Sequence, residues 1–237
     1  MPSSSTKSSA GLRVATPFLS IVIPAYNEEA RILPTLQQVT GYLETQPYTW
    51  EVIVANDGSA DATPRLAAEF AGAHPQVILL DLPHRGKGGA VRDGMLKASG
   101  QRRFLCDADL SMPIEQLERF LTPEMLEHDI VIGSREAPGA RRFNEPARRH
   151  IMGRAFNLMA RLFAVRGIRD TQCGFKCFAA EAAQALFPLQ RANGFGFDIE
   201  LLFLAQRFGM RLVEAPIDWY YMTHSKVRPL RDSVAMA

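Results

Sequence analysis

The chain has 237 residues, of which 47% are hydrophobic and 22% charged, enough apolar material for one large α/β domain with appendages. A net charge of +2 is too small to imply nucleic acid on its own, and its three cysteines (Cys106, Cys173, Cys177) show neither a disulfide framework nor zinc-like spacing. They read as thiols packed like small apolar residues in a reducing compartment.

Residues 1–17 are rich in Ser and Thr, contain Pro2 and Pro17, lack the apolar core of a signal peptide, and are expected to be a disordered tail ahead of a folded unit at 18–237. Phe18-Leu19-Ser20-Ile21-Val22-Ile23 reads as a buried strand closed by Pro24, and Glu28 to Gln46 carries helical spacing. Glu51 to Ala55 is a second strand running into Asn56-Asp57-Gly58-Ser59. A helix is predicted at Ala62 to Ala73, a strand at Val77 to Leu80, a helix at Gly88 to Ala98, and a fourth strand at Phe104-Leu105-Cys106. Strands alternating with helices of this length imply βαβ units and a mostly parallel, Rossmann-like sheet flanked by helices.

The second half is less regular. Ile130 to Arg135 reads as a strand entering a loop, Pro138 to Pro146 as a mobile basic segment, and Arg148 to Val165 as helical. A further helix is expected near Ile199 to Phe208, and Pro216 with Trp219-Tyr220-Tyr221 marks a last strand or loop before a basic tail. No run of about twenty apolar residues occurs, so no spanning helix is expected.

Chemistry-bearing residues fall at the predicted strand ends. Asp107-Ala108-Asp109 closes the fourth strand, so both carboxylates stand at its carboxyl end, where open α/β sheets place ligands. Hard oxygen donors of this kind suit Mg²⁺ or Mn²⁺ on a diphosphate. A polar turn would explain an isolated Asp-x-Asp equally well. Here it follows Pro24-Ala25-Tyr26-Asn27-Glu28, Asn56-Asp57-Gly58-Ser59 and His84-Arg85-Gly86-Lys87-Gly88-Gly89 in order. The first strand has no Gly-x-Gly-x-x-Gly after it, and Gly86-Lys87-Gly88 lacks the spacing and hydroxyl of a phosphate loop, which disfavours a dinucleotide dehydrogenase and a P-loop ATPase.

From about Leu19 onward these segments resemble a family 2 glycosyltransferase of the GT-A fold. The segment Gly167 to Lys176 (Gly-Ile-Arg-Asp-Thr-Gln-Cys-Gly-Phe-Lys), with Phe197 to Leu202 and Ser225-Lys226-Val227, is similar to the dolichyl-phosphate β-glucosyltransferase and polyprenyl-phosphate mannosyltransferase branch. The resemblance implies inverting transfer of a hexose from a nucleotide-sugar donor to a polyprenyl or dolichyl phosphate. UDP-glucose is favoured as donor, with GDP-mannose the alternative. It implies Mg²⁺ or Mn²⁺ on Asp107 and Asp109, with Ala108 between them. Pro24, Tyr26, Glu28 and Asp57 match the nucleoside pocket, and Asp170 and Gln172 the sugar site. Asp198 stands where many members keep a catalytic base, and is expected to orient sugar or acceptor, because a phosphate acceptor is already ionised at neutral pH. Lys87 is a candidate for the diphosphate, and Arg135, Lys226 and Arg228 for the acceptor phosphate or diphosphate, each with a solvated surface cation as the plain alternative.

Eukaryotic dolichyl-phosphate glucosyltransferases usually carry an N-terminal membrane anchor, and none is expected here; because the implied acceptor is a membrane lipid, peripheral contact at the cytoplasmic membrane face is expected. Arg141 to Arg169 holds eight arginines against one acid, Glu145, interleaved with apolar residues, and a helix at 146–166 is the candidate for lying in the interface. An ordinary core-packed helix would show the same spacing, and no RNA or DNA motif appears. A sugar nucleotidyltransferase would carry a Gly-rich loop where Pro24 to Glu28 stands, and a nucleotide-binding regulator on a degenerate transferase fold would have lost Asp107 or Asp109.

Overall fold

The computed structural model describes residues 16–146 and 165–222. Nine strands are assigned among them, seven of them in one sheet: β1 (Leu19–Ala25), β2 (Trp50–Asp57), β3 (Val77–Leu82), β4 (Arg102–Leu105), β5 (Ile130–Ser134), β7 (Lys176–Ala179) and β8 (Leu212–Pro216), ordered β3-β2-β1-β4-β7-β5-β8. Every neighbouring pair is parallel except those made by β7, which runs against both β4 and β5. The remaining strands, β6 (Arg141–Phe143) and β9 (Asp218–Tyr220), pair in parallel as a small second sheet.

β1 is apolar on both faces because both faces are covered. Ile21 and Ile23 point into one core with Leu36 and Val39 of α1 (Ile32–Glu44), Ala67 of α2 (Thr63–Ala73) and Phe120 of a 3₁₀ segment (Ile114–Phe120). Val22 points the other way, towards Val91 of α3 (Lys87–Lys97). The single turn α4 (Pro123–Leu126) precedes β5, while α5 (Ala180–Leu186) and α6 (Phe197–Arg207) complete the second layer with Leu186, Leu201 and Ala205. All three cysteines are buried, and burial pushes the Cys173 and Cys177 thiols up to about 12, as packing residues require.

The element order matches the sequence pattern for strands β1 to β5 and for α1 to α3, with three local differences. The first helix begins at Ile32 rather than Glu28, because the Glu28 carbonyl accepts the N–H groups of Arg31 and Ile32 and Asn27 takes a left-handed φ of 52°. Within the expected tail, Pro17 is tied to the sheet, its carbonyl accepting the Gln101 N–H at 3.1 Å, while residues 1–15 lie outside the described residues. The segment expected to be mobile, Pro138 to Pro146, contains β6. Arg142 donates there to Glu145 at 2.7 Å and Glu136 at 2.6 Å, and Phe143 stacks on Tyr220 with ring centroids 4.5 Å apart. Of the interfacial helix expected at 146–166, residues 147–164 lie outside the described residues, and 146, 165 and 166 are not helical.

Phe104 is fully buried on β4 between Phe120, edge-on at 5.1 Å, and Phe175 at 6.2 Å. Phe104→Ala is expected to lower stability by about 3–5 kcal/mol, read from the urea midpoint at unchanged slope.

Candidate functional site

The parallel strands β1, β2, β3, β4 and β5 all end at the same edge of the sheet, and β7, being antiparallel, starts there. Lys176, the first residue of β7, pairs with Leu105, the last of β4. Asp107 and Asp109, Lys87, and the segment 170–176 therefore meet along one rim.

Asp107-Ala108-Asp109-Leu110 is a tight turn. The Leu110 N–H reaches the Asp107 carbonyl at 3.2 Å with Leu110 in the left-handed region (φ 44°), and the Thr35 hydroxyl donates to the Ala108 carbonyl at 2.7 Å. The Asp109 carboxylate accepts the Ser111 N–H at 3.0 Å, and burial together with the neighbouring Asp107 charge pushes the Asp109 carboxyl above its usual range. Asp107 lies against Gly174, where a Cβ would stand 1.8 Å from Asp107 Oδ2, so only glycine lets the 170–176 segment pass so close. Lys87 Nζ is 2.6 Å from Asp107 Oδ1. Burial lowers the Lys87 ammonium, but the Asp107 and Asp198 carboxylates outweigh it and hold the group above its ordinary value.

This donor set fits a hard divalent cation. Two carboxylates whose mutual repulsion is only partly relieved face the rim, and among the described residues no cluster of three or more His, Cys, Asp or Glu side chains gathers that could hold a metal by itself. Further ligands would be ligand oxygens and water, as Mg²⁺ and Mn²⁺ prefer.

Asp198, in the first turn of α6, is buried, with its Oδ1 2.6 Å from Lys176 Nζ. Burial raises its carboxyl, while Lys176 and then Lys87 oppose the rise. Lys176 is fully buried and also donates to the Cys173 carbonyl at 2.5 Å, so one ammonium joins β7, the 170–175 segment and α6. Lys176 was not among the sequence candidates; its signal was a lysine inside the apolar run Gly174 to Ala179.

Arg135, a candidate for the acceptor phosphate or diphosphate, and Asp170, a candidate for the sugar site, are paired with each other in the structure. Arg135 donates through Nε at 2.6 Å, Nη2 at 2.8 Å and its backbone N–H at 3.0 Å to the fully buried Asp170, and its guanidinium sits 5.4 Å over the Trp219 ring. Burial works against the Asp170 carboxylate, yet Arg135 holds it down to about 2. The Gln172 N–H donates to the same carboxylate at 3.3 Å, so Asp170 organises the loop that carries Gln172.

Near the ends of β1 and β2, Asp57 is buried and accepts the N–H groups of Arg85 (2.8 Å) and Gly86 (2.9 Å) on separate oxygens, which fixes the approach to α3. Its second oxygen also lies 2.9 Å from His84 Nδ1, and the His84 ring stacks on Tyr26 with centroids 4.3 Å apart. Pro24 lies next to the last residue of β1, and Glu28 is paired with Arg31 while its N–H donates to Thr63 at 2.7 Å. The glycines after Lys87 serve packing: a Cβ on Gly88 would lie 2.4 Å from the Ala192 carbonyl, and Gln190 donates to the Gly88 carbonyl at 2.8 Å. Lys226 and Arg228 lie outside the described residues.

Residues 20–187 match Glycosyl transferase family 2. A dolichyl-phosphate β-glucosyltransferase of Trichomonas vaginalis is 39% identical over 224 residues, covering 89% of this chain and 66% of the relative. The enzymes so named from Drosophila melanogaster and Homo sapiens are 39% and 34% identical, each over 89% of this chain and over 69% and 70% of their own lengths. The chain thus spans about two thirds of the length of these curated relatives. Among solved structures, glucosyl-3-phosphoglycerate synthase from Mycobacterium tuberculosis, in complex with Mn²⁺, UDP-glucose and phosphoglyceric acid, aligns with a TM-score of 0.67 at 22% identity over 94% of this chain and 76% of that one. The sheet and its flanking helices are those of the GT-A fold.

Removing one partner of the Arg135–Asp170 pair leaves a buried charge, so Asp170→Asn is expected to cost about 3–5 kcal/mol at neutral pH. Because the folded carboxyl is depressed to about 2, its contribution is complete above the unfolded value near ~3.9 and fades as pH falls towards 2. Urea midpoints measured from pH 5 to pH 2 should fall more steeply for the parent than for Asp170→Asn.

Proposed function

The chain belongs to glycosyl transferase family 2, and from that premise we propose that it transfers glucose, with inversion, from UDP-glucose to a dolichyl or related polyprenyl phosphate. The observation that carries this reading is 39% identity to dolichyl-phosphate β-glucosyltransferases across nine-tenths of the chain, with the acidic pair Asp107 and Asp109 on the ligand rim. UDP-glucose and Mn²⁺ in the complex of the fold neighbour are consistent with the donor and with a divalent cation, Mg²⁺ or Mn²⁺.

In this proposal Asp109 and Asp107 hold the cation, which when bound neutralises the leaving diphosphate as a Lewis acid. Tyr26, stacked on His84 beside Asp57, offers a flat face to the nucleobase, with Pro24 and Glu28 shaping the pocket around it. Asp198, oriented by Lys176, receives hydroxyls of the sugar, and Gln172 faces the same site on the loop that Asp170 and Arg135 organise. An oxygen of the acceptor phosphate attacks the anomeric carbon as the bond to the diphosphate breaks, and one displacement inverts that centre. The attacking oxygen is already ionised, so no proton has to be removed and Asp198 need not act as a base. Lys226 and Arg228 are the proposed partners of the acceptor phosphate.

A polyprenyl phosphate resides in a membrane, and among the described residues no helix is long and apolar enough to cross one. Because the proposed acceptor is a membrane lipid, we propose peripheral contact at the cytoplasmic face through the arginine-rich stretch Arg141 to Arg169. Changing Arg149, Arg154 and Arg161 together to Gln is expected to weaken sedimentation with anionic liposomes at low salt and to flatten its salt dependence. Equal binding of both proteins would remove this stretch from the membrane contact.

Transfer is tested with radiolabelled UDP-glucose and, separately, GDP-mannose, a short polyprenyl phosphate, and Mg²⁺ or Mn²⁺ with and without chelator. Lipid-phase label is expected from UDP-glucose alone and is abolished by chelator. Asp109→Ala should lower the rate about a hundredfold or more while leaving the urea midpoint near that of the parent, since the side chain removed is a half-buried rim carboxylate raised by burial and its loss opens no apolar cavity. Unaltered turnover in that variant would remove the cation from the mechanism, and label from GDP-mannose would replace glucose by mannose.

A further inference from the structure

Lys87 opens α3, and its ammonium covers one oxygen of Asp107 at 2.6 Å. The other Asp107 oxygen faces the backbone at Gly174, with no room for even a methyl group between them. Both side chains remain about a quarter exposed (24% each), so the pair is reachable from the rim. The lysine is held from behind: Asp57 fixes Gly86, and the Phe195 ring lies 5.9 Å from Nζ. Asp109, by contrast, has one backbone N–H on its carboxylate and no ion pair within the described residues.

A divalent ion bound by both carboxylates would have to take or share the Asp107 oxygen that the ammonium already holds. Two cations on one oxygen repel, so the ion entering alone meets a site whose charge is partly cancelled. A diphosphate removes that conflict, because it adds negative charge to the ion and gives the ammonium a new acceptor within reach of its flexible stem. Lysine suits such an exchange better than arginine, since a compact charge on four methylenes can move between acceptors without a fixed fork geometry.

We propose that Lys87 is an electrostatic interlock: it occupies Asp107 in the empty site, disfavours the cation alone, and passes to the diphosphate when cation and nucleotide enter together. This rests on the cation and diphosphate reading given above. The interlock makes the two ligands bind with positive coupling, and by linkage each raises the affinity of the other by the same factor.

The test measures Mn²⁺ binding to the full chain from the electron paramagnetic resonance signal of free Mn²⁺, with and without UDP, for the parent, Lys87→Met and Lys87→Arg. The parent should bind Mn²⁺ weakly alone and more tightly with UDP. Lys87→Met should bind Mn²⁺ alone about tenfold more tightly, with the UDP-dependent gain reduced by a similar factor, within the usual span of such couplings. Lys87→Arg, which keeps the charge, should leave Mn²⁺ alone as weakly bound as in the parent. Lys87→Gln repeats the measurement if circular dichroism shows that Met disturbs the fold. Unchanged or weaker Mn²⁺ binding in the neutral variants, with the parent still coupling Mn²⁺ to UDP, would overturn the interlock and leave the donor reading standing. A parent that binds UDP equally with and without Mn²⁺ would overturn both.

Discussion

β7 runs against its two neighbours, and the site depends on that reversal. Were the strand parallel, its amino end would lie at the far edge of the sheet, and the segment 170–176 would arrive nowhere near Asp107. Reversed, it places Lys176 beside Leu105, Gly174 against Asp107, and the Lys176 ammonium under Asp198. The reversal carries a burden, since a lysine at that register projects into the packed layer beneath α6 and is fully buried. The structure meets it with a carboxylate at 2.6 Å and a carbonyl at 2.5 Å, the partners a buried ammonium needs.

The same logic of local neutralisation runs along the rim. Asp57 is satisfied by two backbone N–H groups, Asp170 by a guanidinium and a backbone N–H, Asp198 by Lys176, and Asp107 by Lys87. These groups serve two kinds of purpose. The Asp57 and Asp170 carboxylates bind chain to chain and set the positions of loops, which is why they are buried. Asp107 and Asp109 remain partly exposed, at the end of a strand where a ligand can reach them. Trp219 links the two sets, donating its indole N–H to Ser111 at 3.0 Å, next to the acidic turn, while its ring supports Arg135.

That division explains what could be read from the chain and what could not. The strands β1 to β4 announced themselves as short apolar runs closed by turn residues, and the Asp107–Asp109 turn was legible because two acids directly after such a run have no reason to face the core. The pairing of Arg135 with Asp170 was not legible because sequence separates them by 35 positions, and nothing local tells a solvated guanidinium from one that meets a buried carboxylate. Lys176 was overlooked for the converse reason. A lysine inside an apolar run looks like an edge residue until the topology shows a central, antiparallel strand. Pro138 to Pro146 read as mobile because its arginines outnumber its acids, yet Arg142 is fixed by Glu136 and Glu145, and β6 gains its partner from β9, over seventy residues away.

Charge balance also bears on the order in which ligands meet at the rim. Around the acidic turn, the carboxylates of Asp107, Asp109 and Asp198 face the ammonium groups of Lys87 and Lys176. A divalent cation alone would add two positive charges to this nearly balanced set, and the diphosphate diester of a nucleotide sugar alone would add two negative ones. Entering together they change the total little, so the pair suffers less repulsion than either ligand alone, and Lys87 is the group placed to exchange partners as they arrive. The acceptor is different, since its phosphate adds net negative charge with no metal of its own. The rim cations Lys87, Arg135 and Lys176 are already paired, so a third anion calls for new positive charge. In the proposed reaction that charge comes from Lys226 and Arg228, which makes acceptor binding a separate electrostatic event from donor binding.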